Sequence, residues 1–268
     1  AKLRHRTNRP STRQDGAALL ILLVIVIIAT TGVLLNSLNR ASVATERDRI
    51  TAEALAQAKE ALIGYAVGTR LPTSSSGSGT TTPRPGDLPC PDSDNDGDSD
   101  TPCDLQADRI GRLPWKTLGL PDLRDGHGER LWYAVSINFK KDTRTTCNFT
   151  DRSGCLNSDT RGTITVRDPS GNIINNGTDS TGTIAVVIAP GTALKRGGVT
   201  QQDRSVAGAS NPQNYLDIGA GEDNAEFIDS DANGFINSLV LGVDAEGKPI
   251  VIVNDRLIAI TYQDLMPK

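Results

Sequence analysis

The sequence predicts an α+β protein in which a long N-terminal α-helix packs on a mostly antiparallel β-sheet domain with long loops. Three observations predict this fold class. Residues 17–35 form a nearly unbroken apolar run, and residues 36–67 continue it with helix formers and no proline. From residue 163 onward, short β-branched runs alternate with Gly, Asn, Asp and Pro, which is typical of strands and turns.

The apolar run starts at Ala17 and reaches Leu35 without a charged residue. A helix that crosses a bilayer needs about 20 such residues, so the run predicts a transmembrane segment. A cleaved signal peptide is the competing interpretation, but its apolar region would be shorter. An excess of basic residues precedes the run and predicts a cytoplasmic N-terminus, with the rest of the chain on the other side of the membrane. These basic residues are Lys2, Arg4, Arg6, Arg9 and Arg13.

The helix is predicted to continue beyond the apolar run as an amphipathic segment. Apolar residues recur at steps of three and four, which places them on one helix face. They are Ile50, Ala54, Ala58, Ala61, Leu62 and Tyr65. We therefore expect one helix over residues 17–67, followed by a flexible Ser/Thr/Gly/Pro linker over 68–86 and a β-rich globular domain over 87–268.

The globular domain contains several candidate strands. They occupy residues 131–135, 163–166, 183–189, 238–243, 249–253 and 257–262. Asn254 and Asp255 separate the last two and predict a turn, so these two strands are expected to form a hairpin.

The N-terminal pattern carries a family resemblance. A basic leader that ends in Gly16, followed by an apolar helix that continues as an amphipathic one, resembles type IV prepilins and type II secretion pseudopilins. The resemblance implies that residues 1–16 are a leader, that a prepilin peptidase cuts after Gly16, and that the new N-terminal residue Ala17 is methylated. It also implies assembly of the helix into a fibre with other pilin or pseudopilin subunits, through an assembly platform in the inner membrane, with the globular domain in the periplasm or outside the cell.

One residue departs from the family pattern. The fifth residue of the processed chain is usually a glutamate that pairs with the terminal amine of a neighbouring subunit, whereas this chain has Ile21. Because a buried amine without a partner is costly, the difference favours a minor subunit at the tip over a repeating major one.

A second stretch is similar to the first strand after the helix in many pseudopilins. It follows the pattern Asp-x-x-Gly-x-x-apolar-x-Tyr and consists here of Asp125, Gly128, Leu131 and Tyr133. His127 lies inside this stretch, and we interpret it as a turn residue.

The four cysteines predict disulfides in the exterior domain. Cys90 and Cys103 are close in sequence, as are Cys147 and Cys155, and we favour these two pairs among the three connectivities that four cysteines allow. A zinc site is the alternative, but neither His5 nor His127 has a metal-ligand spacing with the thiols.

An acidic segment between the first two cysteines predicts a calcium site. Oxygen ligands at alternate positions with a glycine at the sixth, Gly97, match the opening of an EF-hand loop. The twelfth position is Cys103, so the usual glutamate is missing. A solvated acidic turn is the alternative interpretation. The candidate ligands are Asp92, Asp94, Asp96, Asp98 and Asp100.

A weaker copy of this pattern predicts a second calcium site. It comprises Asp229, Asp231 and Asn233, and it also lacks an acid at the twelfth position. Calcium in the C-terminal loops is a further feature that the pseudopilin resemblance implies.

Composition and motifs exclude several classes of function. No nucleotide-binding glycine pattern, zinc-protease helix or nucleophile elbow occurs, so no catalytic site is predicted. A formal net charge of −4 gives no basic field for nucleic acid.

Three functions remain, of which an exported hydrolase on a membrane stalk is disfavoured by the absence of catalytic motifs. The first is a minor pilin or pseudopilin subunit that assembles through its N-terminal helix. The second is a membrane-anchored adhesin or calcium-dependent binding module that does not enter a fibre.

Overall fold

The computed structural model describes residues 15–68, 84–141, 155–157, 159–205, 208–226 and 234–265. Within the first helix, the side chains of residues 15–18 and 32–40 are not described. The chain divides into two compact units, Ala1–Glu46 and Arg47–Lys268.

The described residues contain two α-helices and thirteen strands, several of which have only two residues. The helices are α1 (Asp15–Gly68) and α2 (Tyr262–Leu265), and two 3₁₀ turns cover Gln106–Arg109 and Pro212–Asn214. The strands are β1 (Ile110–Arg112), β2 (Trp132–Val135), β3 (Val166–Arg167), β4 (Ile173–Asn175), β5 (Ala185–Ala189), β6 (Lys195–Arg196), β7 (Thr200–Gln201), β8 (Ile218–Gly219), β9 (Glu222–Asp223), β10 (Phe235–Ile236), β11 (Val240–Val243), β12 (Pro249–Val253) and β13 (Arg256–Ile260).

The structure corrects the prediction of a transmembrane segment. Among the described residues, the structure contains no helix that combines the length and the apolar character needed to span a bilayer. The fold class with a transmembrane helix and the single-pass inner-membrane location are therefore wrong on this finding.

Within the second unit, α1 buries one face against a sheet. Its buried residues recur every three to four positions and belong to a core cluster that also contains strand residues. They are Ala54, Leu55, Ala58, Leu62 and Ala66. The intervening positions Ala52 and Ala56 are exposed, as expected for a helix with one packed face.

The sheet that α1 covers has four antiparallel strands in the order β1-β2-β5-β13. The central strand β5 is buried along its whole length. Ala185, Val187 and Ala189 belong to the cluster that contains the helix residues, whereas Val186 and Ile188 belong to a second cluster. A strand that is covered on both faces has no solvated side, so its sequence is apolar at every position.

The second cluster joins the four-stranded sheet to residues of β3 and β10 and of the segments next to β8 and β9. We call the four smaller sheets together the small-sheet layer. This layer consists of β10-β3-β4, β6-β7, β8-β9 and β11-β12. The cluster joins Ile188 of the central strand to Phe235 of β10 and to Ile164, Tyr215 and Leu216 of the adjoining segments.

The small-sheet layer differs from the predicted mostly antiparallel sheet, because it is divided into separate small sheets. β10 and β3 pair in parallel, which the sequence did not predict. The predicted hairpin of the last two strands is also wrong, because β12 pairs with β11 whereas β13 pairs with β5. Asn254 and Asp255 therefore carry the chain from one sheet to another instead of reversing it within one.

The Asp-x-x-Gly stretch connects the sheet to α1. Asp125 accepts hydrogen bonds through Oδ1 from the backbone nitrogens of His127 (2.8 Å) and Glu129 (3.0 Å), which fixes the turn before β2. The Gly126 nitrogen donates to Thr51 Oγ1 of the helix at 2.9 Å. A Cβ at Gly126 would lie 2.2 Å from the carbonyl oxygen of Arg47, so only glycine allows the turn to approach the helix this closely.

Candidate functional site

The acidic segment lies in a loop closed by the Cys90–Cys103 disulfide, which confirms one of the two predicted bridges. Both cysteines are buried. Backbone hydrogen bonds join Asp92 to Arg112 of β1 in both directions, at 2.9 and 2.7 Å, so the start of the loop is held at the edge of the four-stranded sheet. The loop therefore has a covalent closure and a fixed point on the core.

Three of the five predicted ligands converge. Carboxylate oxygens of Asp92, Asp94 and Asp100 all lie within 4.8 Å of one another. Because calcium binds its oxygen ligands at about 2.3–2.6 Å, oxygens with this spacing can contact the same ion. They occupy the first, third and ninth positions of the loop motif.

The backbone of the loop orients these carboxylates. The nitrogens of Asn95 and Gly97 donate to Asp92 Oδ1 and Oδ2 at 2.6 and 2.7 Å. Ser93 donates to Asp100 Oδ2 from its nitrogen (2.7 Å) and its hydroxyl (2.6 Å). Each Asp92 oxygen accepts one of these bonds and keeps a second lone pair, whereas both bonds from Ser93 end on Oδ2 of Asp100. The hydrogen bonds therefore orient the carboxylates without using all of their acceptor capacity.

The electrostatics of the two ends of the loop differ. Burial raises the pKa of Asp92, and the negative charges of Asp96 and Asp94 add to this effect. For Asp100, partial burial works in the same direction, but the hydrogen bonds from Ser93 outweigh it and lower the pKa. A bound cation would offset both the desolvation of Asp92 and its repulsion by Asp94 and Asp96. The electrostatics of the acidic group therefore suit a metal ion.

Gly97 is required by the loop geometry. Its φ of +96° lies in the left-handed region, and a Cβ there would come within 2.6 Å of the Trp115 indole. On the other side, Arg130 Nη1 donates to both oxygens of Asn95 at 2.9 Å. The turn is thus fixed between an aromatic ring and a guanidinium group.

The other two predicted ligands lie outside the converging group. Asp96 Oδ1 accepts from the Asp98 nitrogen at 2.7 Å, and Asp98 lies 3.7 Å from the Lys116 ammonium. Asp104, which follows the twelfth position, accepts a hydrogen bond from Lys140 at 2.7 Å. The loop therefore presents three carboxylates to an ion instead of the five predicted.

Several predicted residues cannot be placed. Asp229, Asp231 and Asn233 of the second calcium loop lie outside the described residues, as does Cys147 of the second predicted disulfide. Gly16 and Ala17, the predicted processing residues, lie in the first turn of α1.

The N-terminal part of α1 exposes a continuous apolar surface. Every residue from Leu19 to Ile28 is a large hydrophobic side chain that is between 50% and 68% exposed, and Ile21 is among them. Soluble proteins rarely leave a contiguous surface of this kind uncovered, so this stretch is a candidate interaction site.

Two further features are structural, and the first of them confirms the prediction that His127 is a turn residue. His127 is an exposed turn residue whose nitrogen is bound by Asp125. The buried Trp132 and Tyr215 rings enclose the Arg112 guanidinium at 4.2 and 3.9 Å, and burial lowers the pKa of Arg112 to about 10.

Sequence reasoning missed a buried polar cluster of Asp217, Asn224 and Asp255 in the small-sheet layer. Asp255 was assigned only to a turn, and the other two have no spacing that would connect them in sequence. Their proximity depends on the pairing of β8 with β9 and on the path of the chain after β12.

No protein-family model matches the chain, and no curated protein or solved structure matches it.

Proposed function

We propose that this chain is a minor pilin-like structural subunit that joins a fibre through its N-terminal helix. The observation that carries the proposal is the exposed apolar stretch 19–28 at the start of a helix whose later residues 54–66 are packed on the domain. Helices that are apolar on all sides associate with other such helices, which remove this surface from water. The partners are other subunits of the same class.

The proposal includes processing between Gly16 and Ala17 by a prepilin peptidase. The leader resemblance supports it, and the position of the bond in the first turn of α1 is compatible with cleavage, because a terminal turn opens easily. Since Ile21 offers no carboxylate for a neighbouring amine, the subunit is assigned to the tip and not to the repeating shaft.

A charge placed within the apolar stretch tests assembly. Val24→Asp would bury a carboxylate without a partner between packed helices, so we expect the amount of the chain in filaments from its native host to fall at least about tenfold. Ala52→Asp is the matched control, because this position of α1 is exposed and should leave assembly unchanged.

Mass spectrometry of the chain in those filaments tests processing. A methylated N-terminal Ala17 is the expected result. A wild-type chain that is absent from filaments and keeps residues 1–16 would contradict the proposal and favour a binding module that stays out of the fibre.

We also propose that Asp92, Asp94 and Asp100 bind one calcium ion that orders the Cys90–Cys103 loop. The convergence of the three carboxylates supports it, together with the burial of Asp92. At a hundredfold excess over the dissociation constant, one ion adds about 2.7 kcal/mol to the free energy of unfolding. For a domain of this size the melting temperature should then rise by about 5–10 °C.

Two matched variants distinguish a calcium site from an acidic turn. Asp94→Asn removes one of the converging carboxylates and should abolish most of the calcium-dependent rise, whereas Asp96→Asn should keep it. Melting curves in calcium and in chelator give the answer. Equal calcium responses of the two variants would remove the assignment of these three ligands.

A further inference from the structure

Two aspartates form a buried pair at the junction of the small sheets. Asp217 and Asp255 are both completely buried. The Asp217 nitrogen donates to Asp255 Oδ2 at 2.8 Å, so the two residues are in direct contact. We call them the aspartate pair.

The hydrogen bonds to the pair come from neutral groups. Asp217 Oδ1 accepts from Gln202 Nε2 at 3.0 Å, and Oδ2 accepts from the Asn254 nitrogen at 2.8 Å. Asp255 Oδ2 also accepts from Asn224 Nδ2 at 2.9 Å. Asp255 Oδ1 is buried and has no hydrogen-bond partner.

The nearby charged groups are paired elsewhere. Arg204 lies close enough to act on the pair electrostatically, but its Nη1 is 3.2 Å from Glu129. The remaining ion pairs around the cluster are Arg196–Asp223, Arg167–Glu222 and Arg256–Asp48. Among the described residues, no lysine or arginine forms an ion pair with either member of the aspartate pair.

Two adjacent carboxylates that no cation contacts directly are unfavourable in a buried site, both because of desolvation and because of their mutual repulsion. We propose that Asp255 carries a proton on Oδ1 at neutral pH and that the aspartate pair is a proton-binding clasp that tightens the small-sheet layer as the pH falls. The oxygen assigned to the proton is the one that accepts no hydrogen bond.

The electrostatics of the pair agree with this assignment. Desolvation raises the pKa of Asp255 well above its ordinary value, and the charge of Asp217 raises it further. Desolvation also raises the pKa of Asp217, to about 6, against the hydrogen bonds from Asn254 and Gln202. The pair therefore holds two protons at a pH below its first ionisation step, and one proton at a pH between the first and the second step.

The sign of the effect follows from linkage. In the folded state the pKa of Asp217 is about 6, above the value of about 3.9 in an unfolded chain. Its contribution to stability is therefore complete below about pH 4 and is lost as the pH rises through about 6.

The clasp acts on several sheets because its hydrogen-bond partners come from different strands. Gln202 follows β7, Asn224 follows β9 and Asn254 follows β12. Asn224 also binds both backbone groups of Ile236 in β10, at 2.8 and 3.0 Å. Ionisation of the pair therefore loosens the junction of three two-stranded sheets and the parallel strand β10.

Denaturation of the full chain at about pH 5 and about pH 7.5 tests the clasp, with chelator present so that metal at the acidic loop does not contribute. The wild-type folding equilibrium constant should be more than about tenfold larger at the lower pH, because the pKa shift of Asp217 contributes about tenfold and the proton that Asp255 holds only in the folded state adds to it. Asp217→Asn should lose the tenfold part, so its ratio between the two pH values should be smaller than that of the wild type by about this factor. Asp244→Asn, a turn aspartate that accepts backbone hydrogen bonds, is the control and should keep the wild-type ratio.

Infrared spectroscopy tests the proton directly and does not depend on the folding of the first variant. Wild-type protein at about pH 7.5 should show the carbonyl band of a neutral carboxylic acid, and Asp255→Asn should lack it. The absence of this band from the wild type, or equal pH ratios for wild type and Asp217→Asn, would overturn the proposal.

Discussion

The two faces of the four-stranded sheet are covered in different ways. On one face, α1 contributes a row of apolar side chains that pack on Val187 and its neighbours. On the other face, the small-sheet layer has strands of two to five residues, and a buried network around Asn224 and the aspartate pair joins them. A long element gains order mainly from apolar burial, whereas short elements also need buried hydrogen bonds that specify one arrangement.

This difference predicts that truncation of the helix face has the largest effect. Leu62 is completely buried against the sheet, so Leu62→Ala should lower the free energy of unfolding by about 3 kcal/mol through lost burial and the cavity left behind. Chemical denaturation measures the change. Val67→Ala is the control, because this residue of the same helix is 68% exposed and should contribute less than about 0.5 kcal/mol. Equal effects of the two substitutions would show that α1 is not packed in this way.

The next largest effect is expected in the polar network. Asn224→Ala removes three hydrogen bonds, two to the backbone of Ile236 and one to Asp255 Oδ2. Because these buried groups then have fewer partners, the free energy of unfolding should fall by roughly 2 kcal/mol. Asn172→Ala is the control, because its side chain is exposed and binds only Asp168. Backbone hydrogen exchange should show faster exchange in β10 for the first variant alone. Unchanged exchange in β10 would contradict the role of the network.

The sequence predicted the parts of this fold that depend on residues close to one another in the chain. Residues 249–253 are a strand with the predicted bounds, and residues 183–189 contain β5, because β-branched runs between turn residues favour strands. The disulfide between Cys90 and Cys103 was also predicted, since two cysteines so close in sequence close a short loop.

The errors concern features that local sequence does not determine. The apolar run after Ala17 predicted a membrane span that is not found among the described residues. The turn at Asn254 predicted a hairpin, but whether β13 pairs with β12 or with β5 depends on which sheet edge is open. The parallel pairing of β10 with β3 depends on residues almost seventy positions apart, for which no sequence pattern is diagnostic.

The acidic loop was predicted in part. Alternation of aspartates placed Asp92 and Asp94 correctly in one group, because a tight turn directs alternate side chains to the same side. Asp96 and Asp98 instead bind the backbone and approach Lys116. Lys116 is distant in sequence and reaches the loop because Trp115 packs against Gly97, a contact that spacing alone does not reveal.

The smallest effect is expected on the outer face of the β11-β12 sheet. Leu241 lies opposite Val251 in this pair of strands and is 63% exposed. Leu241→Thr should therefore change the free energy of unfolding by less than about 0.5 kcal/mol, since threonine is a good strand former and little burial is lost. By contrast, Val253→Ala on β12 removes methyl groups from a completely buried site and should cost about 1–2 kcal/mol. If Val253→Ala costs more free energy of unfolding than Leu241→Thr, the stability of the small-sheet layer depends on its inner face. A loss of more than about 1 kcal/mol for Leu241→Thr would instead show that its outer face is covered in the folded protein.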